Sequence, residues 1–494
     1  MVLRILESVV TSPYFPSNYV LHICIGLLSL YVLRVYSQGR KTDRERDLHA
    51  RVVLVTGGFT STGLTLLQVL AERGAHIIAL TPEDIEDPNG RVAILVELLR
   101  TTTNNEKIFA EQCDLTSPAS IRSFCTRFLT GQEQRLDAII FAHELEHIGS
   151  PAFLSSTKHS INEEHRDAGS LATFLITTLL LPALLVAPVE RDIRIINVVN
   201  PFYAAAAGLP FSPAFPSISG SSPDKQGSML LSEGRRSLQS IILNRHFQRV
   251  LDALPTGAQV PKTEEGTSAV PVVSSKHQKS NIVAVTVCPG FSRVDTIAPL
   301  LNADWTSRHG FSKLGVFIYL TLHPFLRIFS KTPTSAIQTV LHALCLPTPF
   351  KVLSQTNINS KDKKEAPSPI DTSQLDMPIE VLRPGALYRE CAMVKLNIQV
   401  SAELQQREQE LKAERSKSKG KEKQKKDPKS SAPLQEEVLD IADDGEYGGE
   451  LAGRLVWEKY EESLKTWEKN NPAPVTVEPK PEPPKPKDPN ASPY

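Results

Sequence analysis

No two cysteines in this 494-residue chain form a CxxC pair or stand at a metal-ligand spacing, although there are six: Cys24, Cys113, Cys125, Cys288, Cys345 and Cys391. That excludes a zinc-ribbon or disulfide framework and fits reduced, mostly buried thiols in a cytosol-facing domain. Net charge is also missing, because 55 basic residues balance 55 acidic ones. Nothing in that balance points to nucleic acid as a partner. Proline is plentiful, 37 in all, and clusters in polar stretches and at the C-terminus.

The rest of the chain is organised around Arg51 to Leu80. The apolar run Val52 to Val55 reads as a strand buried on both faces. A turn follows, Thr56-Gly57-Gly58-Phe59-Thr60-Ser61-Thr62-Gly63. Leu64, Leu66, Leu67, Val69, Leu70 and Ala71 supply the apolar face of a helix that Gly74 ends, and His76 to Leu80 is a second strand. Such a β-turn-α-β unit is where a Rossmann-type fold grips a dinucleotide, since glycines admit the pyrophosphate to the backbone and the helix N-terminus offers it free N–H groups. Strands at 108–113, 138–141, 193–199 and 282–287 alternate with helices at 118–129, 168–185 and 228–254. That alternation predicts one parallel, doubly wound α/β sheet.

Tyr19 to Tyr36 is almost uninterrupted apolar sequence, close to the ~20 residues that span a bilayer. Arg34, Arg40, Lys41, Arg44 and Arg46 lie at or beyond its C-terminal end, and only Arg4 precedes it. No small-residue cleavage site follows, so it reads as a signal anchor that leaves the bulk of the chain in the cytosol. Gly315 to Phe329 is a second apolar stretch, interrupted by Pro324; it fits either a membrane-face helix or burial as a lid or core helix. The expected organisation is an anchor at about 19–36 within residues 1–47, then a Rossmann-fold domain over 48–400 with polar insertions at 255–280 and 354–376. Beyond it come a charged low-complexity segment over 401–448, an amphipathic helix over 449–470 and a proline-rich disordered tail over 471–494. The lysine-rich run Arg415 to Lys429 is either solvated or in contact with anionic lipid headgroups. The helix near 451–469 carries Trp457, Tyr460, Leu464 and Trp467 on one face, a stripe that suits packing on the domain.

In this order the pieces resemble the short-chain dehydrogenase/reductase superfamily, in its membrane-anchored, retinol-dehydrogenase-like branch. The resemblance rests on Thr56-Gly57-Gly58 with Gly63, Asp114-Leu115, Leu136-Asp137, FLITTLLLP (174–182), RIINV (194–198), Pro289-Gly290 and TSAIQTVLHAL (334–344). It implies NAD or NADP as cofactor, with Thr56, Gly57, Gly58, Gly63, Asp114, Leu115, Pro289 and Gly290 as the cofactor-binding positions. It also implies a membrane, the endoplasmic reticulum first, with lipid droplets or the mitochondrial outer membrane accepting the same anchor.

The departures from the family pattern bear on chemistry. Ser61 stands where the cofactor turn has a glycine, and its Cβ crowds the pyrophosphate. Phe141-Ala142-His143-Glu144 replaces Asn-Asn-Ala-Gly, and Leu80-Thr81-Pro82 lacks the acidic residue that would hold a ribose hydroxyl. The family's mechanism is a proton relay through a tyrosinate beside a lysine, with a serine on the substrate oxygen and an asparagine positioning water. Alignment sets Gly169 at the asparagine position, Asn200 at the serine, Ser232 at the tyrosine and Arg236 at the lysine. An alkyl hydroxyl at Ser232 cannot exchange protons near neutrality, and arginine lacks lysine's geometry. Tyr203 with Lys225 is the nearest substitute pair in sequence. His143-Glu144-Leu145-Glu146-His147 matches HExxH, the pattern of a zinc peptidase, but Gly149 and Pro151 deny it the helix it needs, so no metal is expected. The expectation is a membrane-anchored relative without a working relay, a scaffold or a sensor with loose nucleotide binding. The partners would then be membrane lipid, a dinucleotide and an unidentified protein. The alternatives are an active NAD(P)-dependent oxidoreductase of a lipophilic alcohol or ketone and, more remotely, a zinc hydrolase.

Overall fold

The computed structural model describes residues 20–87, 90–131, 135–144, 149–151, 154, 159–188, 191–211, 229–254, 280–304, 311–348, 380–402, 404–406, 441 and 443–472. The polar insertions at 255–280 and 354–376, the lysine-rich run and the tail beyond 472 therefore fall almost wholly outside the described residues.

The strands are β1 (Val52–Thr56), β2 (His76–Thr81), β3 (Ile108–Gln112), β4 (Ala138–Phe141), β5 (Ile193–Val198), β6 (Ile282–Cys288), β7 (Leu387–Arg389) and β8 (Ala392–Val394). They form one sheet in the order β3-β2-β1-β4-β5-β6-β7-β8. The pairings from β3 through β7 are parallel and β8 returns antiparallel. The order reverses between β1 and β4, the switch point beside which α/β sheets bind ligands. Every residue of β1, β4, β5 and β6 is buried, as expected of strands covered on both faces.

The longer helices are α1 (Val20–Ser37), α2 (Ser61–Glu72), α3 (Arg91–Thr103), α4 (Pro118–Thr130), α5 (His159–Val186), α6 (Met229–Ala253), α7 (Lys313–Phe329), α8 (Gln338–Cys345) and α9 (Gly449–Asn470). Leu66, Leu67, Val96, Val340 and Leu344 from α2, α3 and α8 build the core on one sheet face. Phe124, Leu171, Leu175, Ile241, Val456 and Tyr460 from α4, α5, α6 and α9 build the other. The expected stripe on α9 does face this core: Tyr460 and Trp467 are buried, and Trp457 and Leu464 pack against them. Trp457 meets Phe174 edge-on with ring centroids 5.0 Å apart.

Arg194 shows how RIINV contributes. Its buried guanidinium pairs with Asp192 at 2.8 Å and donates to the carbonyls of Ala343, Leu344 and Leu346. It thus neutralises the exposed carbonyl end of α8.

One element departs from the sequence reading, and another invites a membrane reading that it does not need. The chain just before α9, expected to be low-complexity, contains a structured clasp. Asp444 pairs with Arg245 and with Arg249, the latter at 2.5 Å, and the Tyr447 hydroxyl donates to Val394 O at 2.8 Å. Within α5, residues His165–Val186 are the one stretch among the described residues long and apolar enough to cross a membrane, yet half of it is buried. Its apolarity serves the core. The described N-terminal apolar helix, Leu21–Ser37, is shorter.

Candidate functional site

The glycine turn after β1 is built as its sequence implies. Gly57 has a φ of +66°, and a Cβ there would stand 2.7 Å from the backbone of Ala142 and His143. A Cβ on Gly63 would stand 2.2 Å from Gly57 O. Thr60 caps α2, its side chain accepting from Gly63 N at 2.9 Å. The first helical N–H groups are not left open, however. The Asp295 carboxylate accepts from Ser61 N at 3.1 Å and from Thr62 Oγ1 at 2.5 Å. Asp295 sits on the π-helical turn Arg293–Ile297 that follows β6, and Ser292 Oγ donates to it at 3.1 Å. An anion from the protein's own chain thus holds the place a helix N-terminus offers to a phosphate.

The other cofactor positions are turned to local tasks. Asp114 Oδ1 accepts from Thr116 N at 2.9 Å and from Thr116 Oγ1 at 2.7 Å. Gly290, with a φ of +91°, passes under the Lys331 side chain. Thr56 Oγ1 lies 2.7 Å from His143 Nδ1.

His143 is buried, and its Nε2 donates to Gly169 O at 2.8 Å. With Nδ1 accepting from Thr56, both ring nitrogens are committed, and burial pushes the imidazole below its usual pKa. This neutral ring has no lone pair free for a metal. His147, the second histidine of the HExxH pattern, lies outside the described residues.

The positions of the expected relay converge only in part. Arg236, on α6, donates through Nε and Nη2 to Asp167 Oδ1 at 2.9 and 2.6 Å and through Nη1 to Glu233 at 3.1 Å. Arg166 closes the group with a 2.5 Å contact to Glu233. All four side chains are 2–3% exposed. Burial opposes the Arg236 charge, but Glu233 and Asp167 outweigh it and raise the pKa further. Asn200 is buried, with Oδ1 accepting from Phe202 N at 3.1 Å and from Ser237 Oγ at 2.8 Å. Gly169 borders the same cavity as Arg236, His143 and Glu144. Ser232 is half-buried at the start of α6 and does not line that cavity.

Three residues that the sequence reading did not assign to the relay govern the centre. Glu144 lies 2.8 Å from Ser237 Oγ; burial pushes its carboxyl up to about 7, with Glu233 adding to the rise and Ser237 and Arg236 opposing it. Asp167, paired with Arg236, comes from α5. Tyr460 arrives from α9 with its hydroxyl beside Ser240 and Ser170, and burial raises its pKa even with Arg236 nearby. It is therefore no tyrosinate. Tyr203 is also buried and raised, and the cation beside it is Arg389; Lys225 lies outside the described residues. Charge signs in the sequence hint at the Asp167–Arg236 pair, but nothing local links helices so far apart.

No family model matches the chain. An uncharacterized oxidoreductase of Saccharomyces cerevisiae is 28% identical over 358 residues, covering 68% of this chain and 76% of that protein. An uncharacterized oxidoreductase of Schizosaccharomyces pombe is 25% identical over 325 residues, 65% of this chain and 77% of its own length. Human retinol dehydrogenase 11 is 29% identical over 154 residues, which is 31% of this chain and 45% of that enzyme. Among solved structures, a short-chain dehydrogenase from Sphingobium yanoikuyae in complex with NADPH covers 65% of this chain and 99% of its own, with a TM-score of 0.34 and 15% identity. In the strand order of its sheet and in its sequence likeness to these oxidoreductases, the chain is similar to the short-chain dehydrogenase/reductase superfamily, the retinol dehydrogenases included, and it carries the Rossmann-like α/β fold.

Proposed function

We propose that this chain is a membrane-anchored short-chain dehydrogenase/reductase-like protein that has lost the proton relay, binds a nicotinamide dinucleotide loosely, and works as a scaffold or sensor for a protein partner. The observation that supports this reading is the closed group Arg166–Glu233–Arg236–Asp167, which ties up Arg236, the residue the alignment sets at the family's lysine position. A guanidinium bound on both sides by carboxylates neither lowers a phenol's pKa nor frees a donor for a ribose. The Rossmann-type domain spans 48–400 in this reading, and α1 is the anchor, with the endoplasmic reticulum as the membrane the family branch suggests.

The glycine turn fits a dinucleotide, whereas Asp295 stands where its pyrophosphate would meet α2. When bound, the group would supply a hydride; Gly57 and Gly63 would admit its backbone-facing side, and Asp295 would oppose its charge. The test is to titrate NADH and NADPH onto the full chain in detergent micelles, following fluorescence, and to repeat the titration with Asp295→Asn. Weak binding by the native chain and about ten-fold tighter binding by D295N, worth about 1.4 kcal/mol, are expected. Micromolar binding by the native chain with turnover of a carbonyl substrate would sink the scaffold reading.

One observation favours a second reading, an active reductase of a lipophilic carbonyl compound, the kind of substrate that the name retinol dehydrogenase suggests. Glu144, with its carboxyl near 7, is able to give up a proton at neutral pH where the family uses a phenol. NADPH consumption with long-chain ketones or retinoids, abolished in Glu144→Gln, would establish it.

A further inference from the structure

We infer that α7 lies in the interface of the same bilayer that α1 enters, as a second and in-plane membrane contact, with its outward stripe among the lipids. The inference rests on the reading of α1 as an anchor.

The face α7 turns outward is the apolar one. Leu314, Phe317, Leu320, Phe325 and Phe329 are exposed at 53–68%, at helical spacings that place them on one side. The inner side is fastened to the domain at both ends. Ser312 N donates to Asn302 O at 2.9 Å, and Gly315 fits so closely that a Cβ would stand 1.9 Å from Leu301 O. At the other end Lys331 N donates to Phe291 O at 2.9 Å. A helix of a water-soluble surface has the opposite polarity. An apolar stripe of this size in water marks an interaction site.

The occupant follows from what lies beside it. α1 packs along α7, and their C-terminal ends are bonded together: Arg34 Nη1 donates to Ser330 O at 2.9 Å, Ser37 Oγ to Ile328 O at 2.5 Å and Gln38 Nε2 to Ser330 O at 3.1 Å. α1 is exposed along most of its described length and predominantly apolar, with Leu21, Leu27, Leu28 and Tyr31 each at least 63% exposed, and its 18 residues reach about 27 Å. A protein covering α7 would have to share that surface with a bare apolar rod; a bilayer covers both. Lys313 and Arg327 are exposed at either end of α7, and Arg293 and Arg327 both lie close to Arg34 at the α1 junction, which suits anionic headgroups.

The experiment places an environment-sensitive NBD probe on the full-length chain in a Cys24→Ser background, because Cys24 is the one exposed cysteine. Leu27→Cys reports α1 and Phe317→Cys reports α7. The protein is reconstituted into phosphatidylcholine–phosphatidylserine vesicles with and without acyl-chain-brominated lipid. Both probes should show blue-shifted emission and quenching by bromine, with the Phe317 position quenched more strongly by bromines near the headgroups. Quenching at Leu27 but not at Phe317 overturns the inference and leaves the anchor standing. A blue-shifted but unquenched Phe317 probe means that protein covers α7, and this also overturns it. Loss of quenching at both positions removes the anchor reading as well.

Discussion

Arg236 is held by two carboxylates and releases neither, so its removal leaves Asp167 without its cation in a site nearly closed to water. Arg236→Met should cost about 3–5 kcal/mol of stability, read as a fall in the melting temperature of the full chain in micelles. Arg236→Lys, the residue the family would carry there, should recover only part of it, since a single ammonium cannot reproduce the two-sided contact. If the position served a relay, the lysine variant would instead be the better protein. Glu144 supports a pH prediction. Its folded pKa of about 7 lies above its ordinary 4.5, so the folded state binds the extra proton. Stability is therefore highest below pH 4.5 as far as this group is concerned, and falls as pH rises through 7. Glu144→Gln should remove that slope, a swing of about 3 kcal/mol at its ceiling, in melting curves taken between pH 5 and 8.

At the level of elements, the seam between α6 and α9 is set by one missing methyl group. A Cβ on Gly453 would stand 2.6 Å from His246 Nδ1 and 2.8 Å from its Cβ. Gly453→Ala should push α9 off α6 and cost about 1–3 kcal/mol, with Trp457 and Trp467 moving toward water in the fluorescence spectrum. Elements with a local signature are legible in the amino-acid pattern alone: β1, the turn and α2 follow one another with apolar periodicity, Thr60 at the cap and Gly74 at the end. α9 is legible because its aromatics recur at helical spacing. β7 and β8 are not, since three-residue strands carry no period and follow a long polar insertion. α3 begins at Gly90 with no side-chain cap and ends at Asn104 in the left-handed region, which leaves little in the sequence to mark it. The site is legible position by position, at Gly169, Asn200 and Arg236, but not as a cluster. Asp167 reaches Arg236 from α5, and Asp295 reaches the glycine turn from the segment after β6, contacts that tertiary packing alone makes.

For the whole molecule, the neutral formal charge hides a division of labour. Cations gather at the base of α1 and α7, while the sheet edge that would receive a nucleotide is closed by a carboxylate. The two lie on one continuous segment. Asp295 belongs to the turn Arg293–Ile297, and the same strip of chain runs on through Leu301 and Asn302 to the docked start of α7. The turn that latches α2 is therefore also the hinge post of the surface helix. On the reading proposed above, a nucleotide that displaced the Asp295 latch would shift that post, and linkage would make the effect mutual: lipid engagement of α7 and occupancy of the glycine turn would change each other's affinity by one shared factor. Dinucleotide titrations on vesicles and in micelles should then give different dissociation constants for the native chain. In Asp295→Asn, where the latch has lost its charge, the two constants should draw together.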